Sequence, residues 1–377
     1  MSITLSVPAR VNILGNPSDA NEGDFATISA AVEVRAHAMI NSASKYILEH
    51  RGSNHPPLEF DPSELPLPYG AKHDLLKGAI NRLYAYSPEF KAKLPTIGFH
   101  LKVWSDVPRQ SGLGGSSLFV LLTLAAMREF YELDRTLHND YVLSELTQRV
   151  EGKELGITCG FADRYVPLFG GLAYLDYRGK LHHAEIGEEP YVTYERLDGL
   201  EEALPLVAIM TGIRHDSGDV HGRMRPRYLT ELDEWQKRDG DKPPMVSFMT
   251  GAWECAWRGK IALLAGDLDR FGELMDENHR LVDEMMHYCG FEDGAGWANN
   301  LFIQAAKENG ALGAKLTGAG GGGSVFALVR PSEEKRMMDL WQKTALENQL
   351  DDARVFQITI AKQGLIIIPD RRRKNRD

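Results

Sequence analysis

The pattern of apolar and polar positions divides the chain into strand-like and helix-like stretches that alternate irregularly. Ile3 to Asn12 alternates with period two, which predicts a strand ending in the turn Gly15-Asn16-Pro17-Ser18-Asp19. Phe25 to Ile40 reads as further strand, interrupted near Glu33, and Phe99-His100-Leu101-Lys102-Val103-Trp104 alternates again. Residues 54–70 are proline-rich and loop-like. Leu75–Ala85, Ser116–Leu133 and Tyr141–Leu155 read as helices, and Gly170–Asp176 reads as a strand after a turn. Leu206-Val207-Ala208-Ile209-Met210 is a short continuous apolar run of the buried-strand type, and Val246–Ala265 and Leu268–Tyr288 carry helical periodicity. No internal repeat is present. This mixture predicts two α+β domains with a boundary around residues 185–205: residues 1–195, residues 196–370, and a basic tail over 371–377.

Composition narrows the class. A chain of 377 residues is long enough for two cores, and 43% apolar with 25% charged residues describes an ordinary globular protein rather than a disordered one. The longest apolar run, Leu118 to Met127, is too short to span a bilayer, and the opening MSITLSVPAR lacks the parts of a secretory leader. Cys159, Cys255 and Cys289 are odd in number and widely spaced, which fits reduced thiols, and no Cys/His cluster has zinc spacing. The expected location is cytoplasmic. A net charge of −10 argues against nucleic-acid binding. The exception, Arg371-Arg372-Arg373-Lys374-Asn375-Arg376, reads as a solvated end, so neither a nucleic-acid nor a membrane partner is expected. A monomer and a homodimer are both compatible with the sequence.

The most informative segment runs from Asp106 to Met127. After the strand comes Pro108-Arg109-Gln110-Ser111-Gly112-Leu113-Gly114-Gly115-Ser116-Ser117, then an apolar helix. The glycines can take positive φ and let the backbone close around an anion, and the helix start favours phosphate. An ordinary glycine turn between strand and helix is the plain alternative. No lysine follows as in a Walker A loop, so phosphate neutralisation must come from elsewhere. A second run, Lys315-Leu316-Thr317-Gly318-Ala319-Gly320-Gly321-Gly322-Gly323-Ser324, formally contains G-x-G-x-x-G. The strand-like Val325–Val329 follows it, whereas a dinucleotide fingerprint needs a helix there. A glycine loop closing over phosphates or substrate fits better.

Together with Val7-Pro8-Ala9-Arg10-Val11-Asn12-Ile13-Leu14-Gly15, these segments resemble, in order, the three signature regions of the GHMP kinases, the galactokinase, homoserine kinase and mevalonate kinase superfamily. The resemblance covers nearly the whole chain. It implies the two-domain α+β GHMP kinase fold, with an N-terminal domain like ribosomal protein S5 domain 2 and a ferredoxin-like C-terminal α/β sandwich. A narrower resemblance, to the glucuronokinases, is carried by Gly15-Asn16-Pro17-Ser18-Asp19, Pro108–Leu113, Glu154-Leu155-Gly156-Ile157 with Asp163-Arg164, and Asp216-Ser217-Gly218-Asp219-Val220-His221. The run of four glycines from Gly320 to Gly323 instead has the general superfamily form.

The resemblance implies an ATP-dependent kinase that phosphorylates a sugar hydroxyl, above all the anomeric hydroxyl of D-glucuronate, with Mg²⁺ as cofactor. Galactose, a heptose or a mevalonate-like alcohol are alternative acceptors, and a catalytically silent sensor on the same fold is a third reading. By the same resemblance, Pro108, Gly112, Leu113, Gly114, Gly115, Ser116 and Ser117 bind ATP, and Ser116 and Glu151 hold the metal. Asp163 is the catalytic carboxylate, assisted by Arg10 in the galactokinase arginine's position. Asn16, Asp19, Thr317, Gly318 and Gly320 face the acceptor. A uronate carboxylate also needs a cation, for which Arg214, Arg223, Arg225 and Arg227 are candidates and Arg164 a weaker one. Without the flanking motifs, Glu151 would read as a solvated helix position, Asp163 as a turn residue and either serine as a helix cap.

Overall fold

A computed structural model of the chain describes residues 1–70, 72–108, 111–181, 184–200, 204–213, 217–238, 240–318 and 320–369. β1 (Ser2–Leu14) buries alternate residues up to Val7 and every residue from there to Leu14. The change marks where neighbouring elements begin to cover both of its faces. β2 (Ala26–Ala43) runs antiparallel to it. Their register jumps from Pro8 opposite Arg35 to Ala9 opposite Val32, leaving Glu33 and Val34 as a bulge. The interruption expected near Glu33 is therefore a bulge within one continuous strand, and Glu33 N–H donates instead to the Thr359 carbonyl at 2.9 Å.

The first sheet continues through β5 (Gly98–Ser105), β3 (Tyr46–His50) and β4 (Leu58–Phe60), with β12 (Ile366–Pro369) on the outer side of β1. β4 corrects the loop expected over residues 54–70. β6 (Leu172–Asp176) pairs with the first part of β2, and β7 (Thr193–Arg196) with β6. The last strand of the chain thus rejoins the sheet that the first one starts.

Five helices belong to this part of the molecule: α1 (Asp74–Tyr86), α2 (Pro88–Lys93), α3 (Gly115–Phe130), α4 (Asp140–Arg149) and α5 (Ala162–Phe169). α3 is buried on nearly every side, as its almost uninterrupted apolar sequence requires. The helix expected over Tyr141–Leu155 is α-helical only to Arg149 and widens into a π-helical turn over Val150–Glu154.

The second sheet is antiparallel, in the order β11 (Arg354–Gln357), β8 (Leu206–Met210), β10 (Ser324–Leu328), β9 (Gly313–Thr317). α6 (Ser217–Gln236), α7 (Pro244–Leu264), α8 (Leu268–Tyr288) and α9 (Trp297–Glu308) lie between β8 and β9 in the chain, and α10 (Glu334–Glu347) follows β10. Phe302 and Trp341 fill the core between the last two helices and this sheet. The tail 371–377 lies outside the described residues.

The two sheets are joined where β1 meets β9. Asn12 N–H donates to Thr317 Oγ1 at 3.1 Å. Lys315, fully buried, donates to Asn16 Oδ1 at 2.7 Å, the Leu316 carbonyl at 2.9 Å and the Asn12 carbonyl at 3.4 Å. Burial draws its pKa down to about 7, while the three acceptors match the three hydrogens of the ammonium form.

Candidate active site

β5 delivers the chain into the first glycine-rich loop, and α3 carries it away. Gly112 and Gly114 adopt φ of +73° and +81°, a conformation that any larger side chain would strain. Gly114 caps α3 without a side-chain hydrogen bond, which leaves the first N–H groups of this long helix for an anion to satisfy. Neither serine caps the helix. Ser116 Oγ donates to Glu151 Oε1 at 3.0 Å and Ser117 Oγ to Glu151 Oε2 at 2.8 Å.

The second glycine run braces this loop from the other sheet. A Cβ on Gly112 would meet the Thr317 carbonyl at 2.8 Å, and Ser324 Oγ donates to the Ser111 carbonyl at 2.5 Å. Glycine is needed at Gly112 because the two backbones touch there.

Beside the loop stands a buried cluster of charges. Arg10, on β1, donates through Nε to Asp163 Oδ1 at 2.5 Å and through Nη1 to the Gly112 carbonyl at 2.5 Å. Asp163 sits in the first turn of α5, and Arg164 beside it pairs with Glu151 and donates to the Gly160 carbonyl. Burial pushes the Asp163 carboxyl up, but Arg10 and Arg164 outweigh it and hold it below the ordinary carboxylate range. Asp19 is also buried and accepts from Ala162 N–H at 3.2 Å. Burial, reinforced by the charge on Asp163, raises its pKa to about 6. Two neighbouring carboxylates are thus pushed apart in acidity, the arrangement that separates a base from a hydrogen-bonding partner.

These groups line one cavity of about 770 Å³. Part of its wall is Asn16, Asp19, Asp163, His221 and Gly318. Another part is His50, Arg51, Leu75, Val107 and Phe119, with the His50 and Phe119 rings 4.5 Å apart. Anion-receptive helix, paired carboxylates and bridging arginine therefore share a single space.

Residues 74–171 match the family profile of the GHMP kinases N terminal domain, and residues 260–345 that of the GHMP kinases C terminal domain. The chain is 31% identical over 345 residues to probable glucuronokinase 2 of Arabidopsis thaliana, spanning 89% of this chain and 87% of that one. Glucuronokinase 1 of the same plant is 29% identical over 349 residues, 90% and 89% of the two chains. The chain belongs to the GHMP kinases. Among solved structures, galactokinase of Lactococcus lactis complexed with galactose shares the fold, with a TM-score of 0.76 at 18% identity over 97% of this chain and 95% of that one. This GHMP kinase thus has the family's two-domain fold and is an ATP-dependent sugar kinase. Among the described residues no helix is long and apolar enough to cross a membrane.

Most of the residues singled out from the sequence of this kinase meet in the cavity: Arg10, Asn16, Asp19, Pro108, Gly112, Gly114, Gly115, Ser116, Ser117, Glu151, Asp163 and Gly318. Asn16 is there with its amide already used, accepting from Lys315 and donating to the Gly318 carbonyl at 3.3 Å. Leu113, Thr317 and Gly320 are not in the wall. Leu113 is buried behind the loop, Thr317 turns its hydroxyl to Asn12, and Gly320 packs near Met286. Arg214 and Asp216, with Arg109 and Gln110 of the first glycine-rich loop, lie outside the described residues.

Of the arginines weighed for a carboxylate, Arg164 stands in the cavity wall paired with Glu151, whereas the three on α6 go elsewhere. Arg225 pairs with Glu22 at 2.9 Å, Arg223 lies 4.6 Å over the Phe291 ring and Arg227 3.9 Å over the Tyr288 ring. Conversely, His50, Arg51, Leu75 and Phe119 were not foreseen. They come from β3, the residue after it, α1 and α3, and no local motif marks them.

Proposed function

We propose that the kinase transfers the γ-phosphoryl group of ATP to the anomeric hydroxyl of D-glucuronate, giving glucuronate 1-phosphate. Its similarity to two glucuronokinases over about nine-tenths of its length supports this acceptor. The observation that carries the chemistry is Arg10, hydrogen-bonded at once to Asp163 and to the phosphate loop. It places a cation between the group that accepts the proton and the loop that holds the phosphates.

Asp163, ionised at neutral pH, accepts the acceptor hydroxyl's proton as the bond to phosphorus forms. An anomeric hydroxyl is more acidic than an ordinary alcohol, so a modest base suffices. Asp19, partly protonated near pH 6, holds a neighbouring sugar hydroxyl and fixes the acceptor's orientation. Gly112, Gly114, Gly115 and the start of α3 cradle the β- and γ-phosphates. His50, Leu75 and Phe119 supply the apolar and ring surfaces for the base.

The oxygen donors of Ser116 and Glu151 fit Mg²⁺. Both side chains stand in the cavity wall beside the glycine-rich loop and would hold the ion there through hard oxygen donors. Mg²⁺ held there would neutralise charge on the nucleotide's phosphate oxygens. Arg164 fixes the Glu151 carboxylate from its other side.

The test is ADP release with Mg-ATP against D-glucuronate, D-galacturonate, D-galactose, D-glucose and mevalonate, followed by locating the phosphate. Turnover of glucuronate with phosphate on the anomeric oxygen is the expected result. Turnover confined to another acceptor would overturn the uronate reading, and ATP binding without turnover of any sugar would favour the silent sensor.

A further inference from the structure

We infer that His221 is the residue that binds the carboxylate of the acceptor, and so distinguishes a sugar acid from a neutral sugar. The inference rests on the uronate acceptor proposed above.

The reasoning starts from the packing of α6. His221, Met224, Arg225 and Tyr228 stand at i, i+3, i+4 and i+7, one face of a helix. The last three of these bind the segment that follows the acceptor-side turn. Met224 and Tyr228 share a buried cluster with Ala20 and Phe25. Arg225 donates to the Ala20 carbonyl at 3.2 Å, and Tyr228 OH donates to the Glu22 carbonyl at 2.6 Å. The stripe is therefore fixed against residues 20–25. His221 lies one turn nearer the start of the helix and, like Asp19, forms part of the cavity wall.

A carboxylate in that space needs a donor able to carry positive charge. Arg10 and Arg164 are tied to Asp163 and Glu151, and both also hold backbone carbonyls of neighbouring loops. Arg223 and Arg227 lie on another face of α6, over Phe291 and Tyr288, and Arg51 follows His50 at the end of β3, in the part of the wall where the His50 and Phe119 rings meet. His221 offers an imidazole to the cavity that Asn16, Asp19 and Asp163 also line. A sugar whose anomeric hydroxyl faces Asp163 then turns its acidic end toward α6.

The test compares D-glucuronate with D-glucuronamide, which keeps the shape and removes the charge. The readout is the ratio of their kcat/KM values in wild type, His221→Gln and His221→Lys. We expect wild type to favour glucuronate and the ratio to fall roughly 10- to 100-fold in His221→Gln, mainly through KM for glucuronate. His221→Lys, which restores a cation, should recover part of the preference. An unchanged ratio in both variants, with wild-type uronate turnover intact, would overturn the assignment of His221 alone. Wild-type turnover of neutral hexoses, with none of either uronate form, would overturn the acceptor reading and this assignment with it.

Discussion

Gly160 lies so close beneath Asp19 that a Cβ on it would stand 2.0 Å from Asp19 Oδ2. No real contact is that short, so the buried carboxylate holds its place only because residue 160 has no side chain. Gly160→Ala must displace Asp19 or α5, which begins two residues later. Displacement of about 1 Å in such a site costs on the order of 100-fold in rate, and overpacking costs about 1–3 kcal/mol. We expect kcat/KM for the acceptor to fall by about two orders of magnitude while ATP affinity changes little. Steady-state kinetics with separate nucleotide binding measurements test this. An equal loss in both would mean that the substitution disturbs the fold rather than the acceptor turn.

Asp163→Asn preserves shape and removes the carboxylate proposed above as the proton acceptor. Arg10 keeps the Gly112 carbonyl and an amide oxygen as partners, so the phosphate loop remains braced. The expected result is a fall in kcat of roughly 10²- to 10⁴-fold with nucleotide binding retained. Single-turnover phosphoryl transfer and calorimetric ATP binding separate the two quantities. A variant that kept wild-type kcat would remove Asp163 from the role of base.

The contrast between what the sequence disclosed and what it did not has a physical cause. The loop from Gly112 to Ser117 was legible because its shape is local: glycine permits the turn, and an apolar helix follows it. β1, α3, α7 and α8 were legible because their burial follows from periodicity. The bulge at Glu33 showed only as a break in alternation, and the π-helical turn at Glu151 as nothing at all, since continued helix has the same pattern. Charge alone carries no direction: Arg223, Arg225 and Arg227 look alike until the helix puts two over rings and one against Glu22. Thr317 and Gly320 carry the motif without reaching the cavity, because part of that glycine run serves the contact between loops.

Glu151→Gln probes metal binding and packing at once. Glu151 and Arg164 are both buried, so losing the carboxylate leaves the guanidinium with only the Gly160 carbonyl and Asp163, 3.7 Å away, as partners. Breaking a buried pair in this way costs about 3–5 kcal/mol. Loss of a carboxylate ligand should also raise the Mg²⁺ concentration for half-maximal rate by at least about tenfold. Thermal unfolding measures the first effect and an Mg²⁺ titration of activity the second. A lowered Tm with an unchanged Mg²⁺ requirement would leave Glu151 as a partner of Arg164 only.

Asp19 ties stability to pH in the direction opposite to most carboxylates. Its pKa is about 6 in the folded protein against the ordinary 3.8, so between these values the folded state holds a proton that the unfolded chain has released. Stability therefore falls as pH rises through this window, and above it the full penalty of about 3 kcal/mol persists. Asp19→Asn removes the penalty while leaving an oxygen to accept from Ala162. We expect the variant to unfold at a temperature a few degrees higher than wild type near pH 8, with the difference closing as pH falls toward 4. Groups shared by both proteins cancel in that difference. The same substitution should lower kcat/KM for the acceptor by roughly 10- to 100-fold, since it removes the charged partner of a sugar hydroxyl. A variant less stable than wild type at pH 8 would show that the ionised Asp19 carboxylate is stabilised by Arg10 and Arg164 more than burial and Asp163 oppose it.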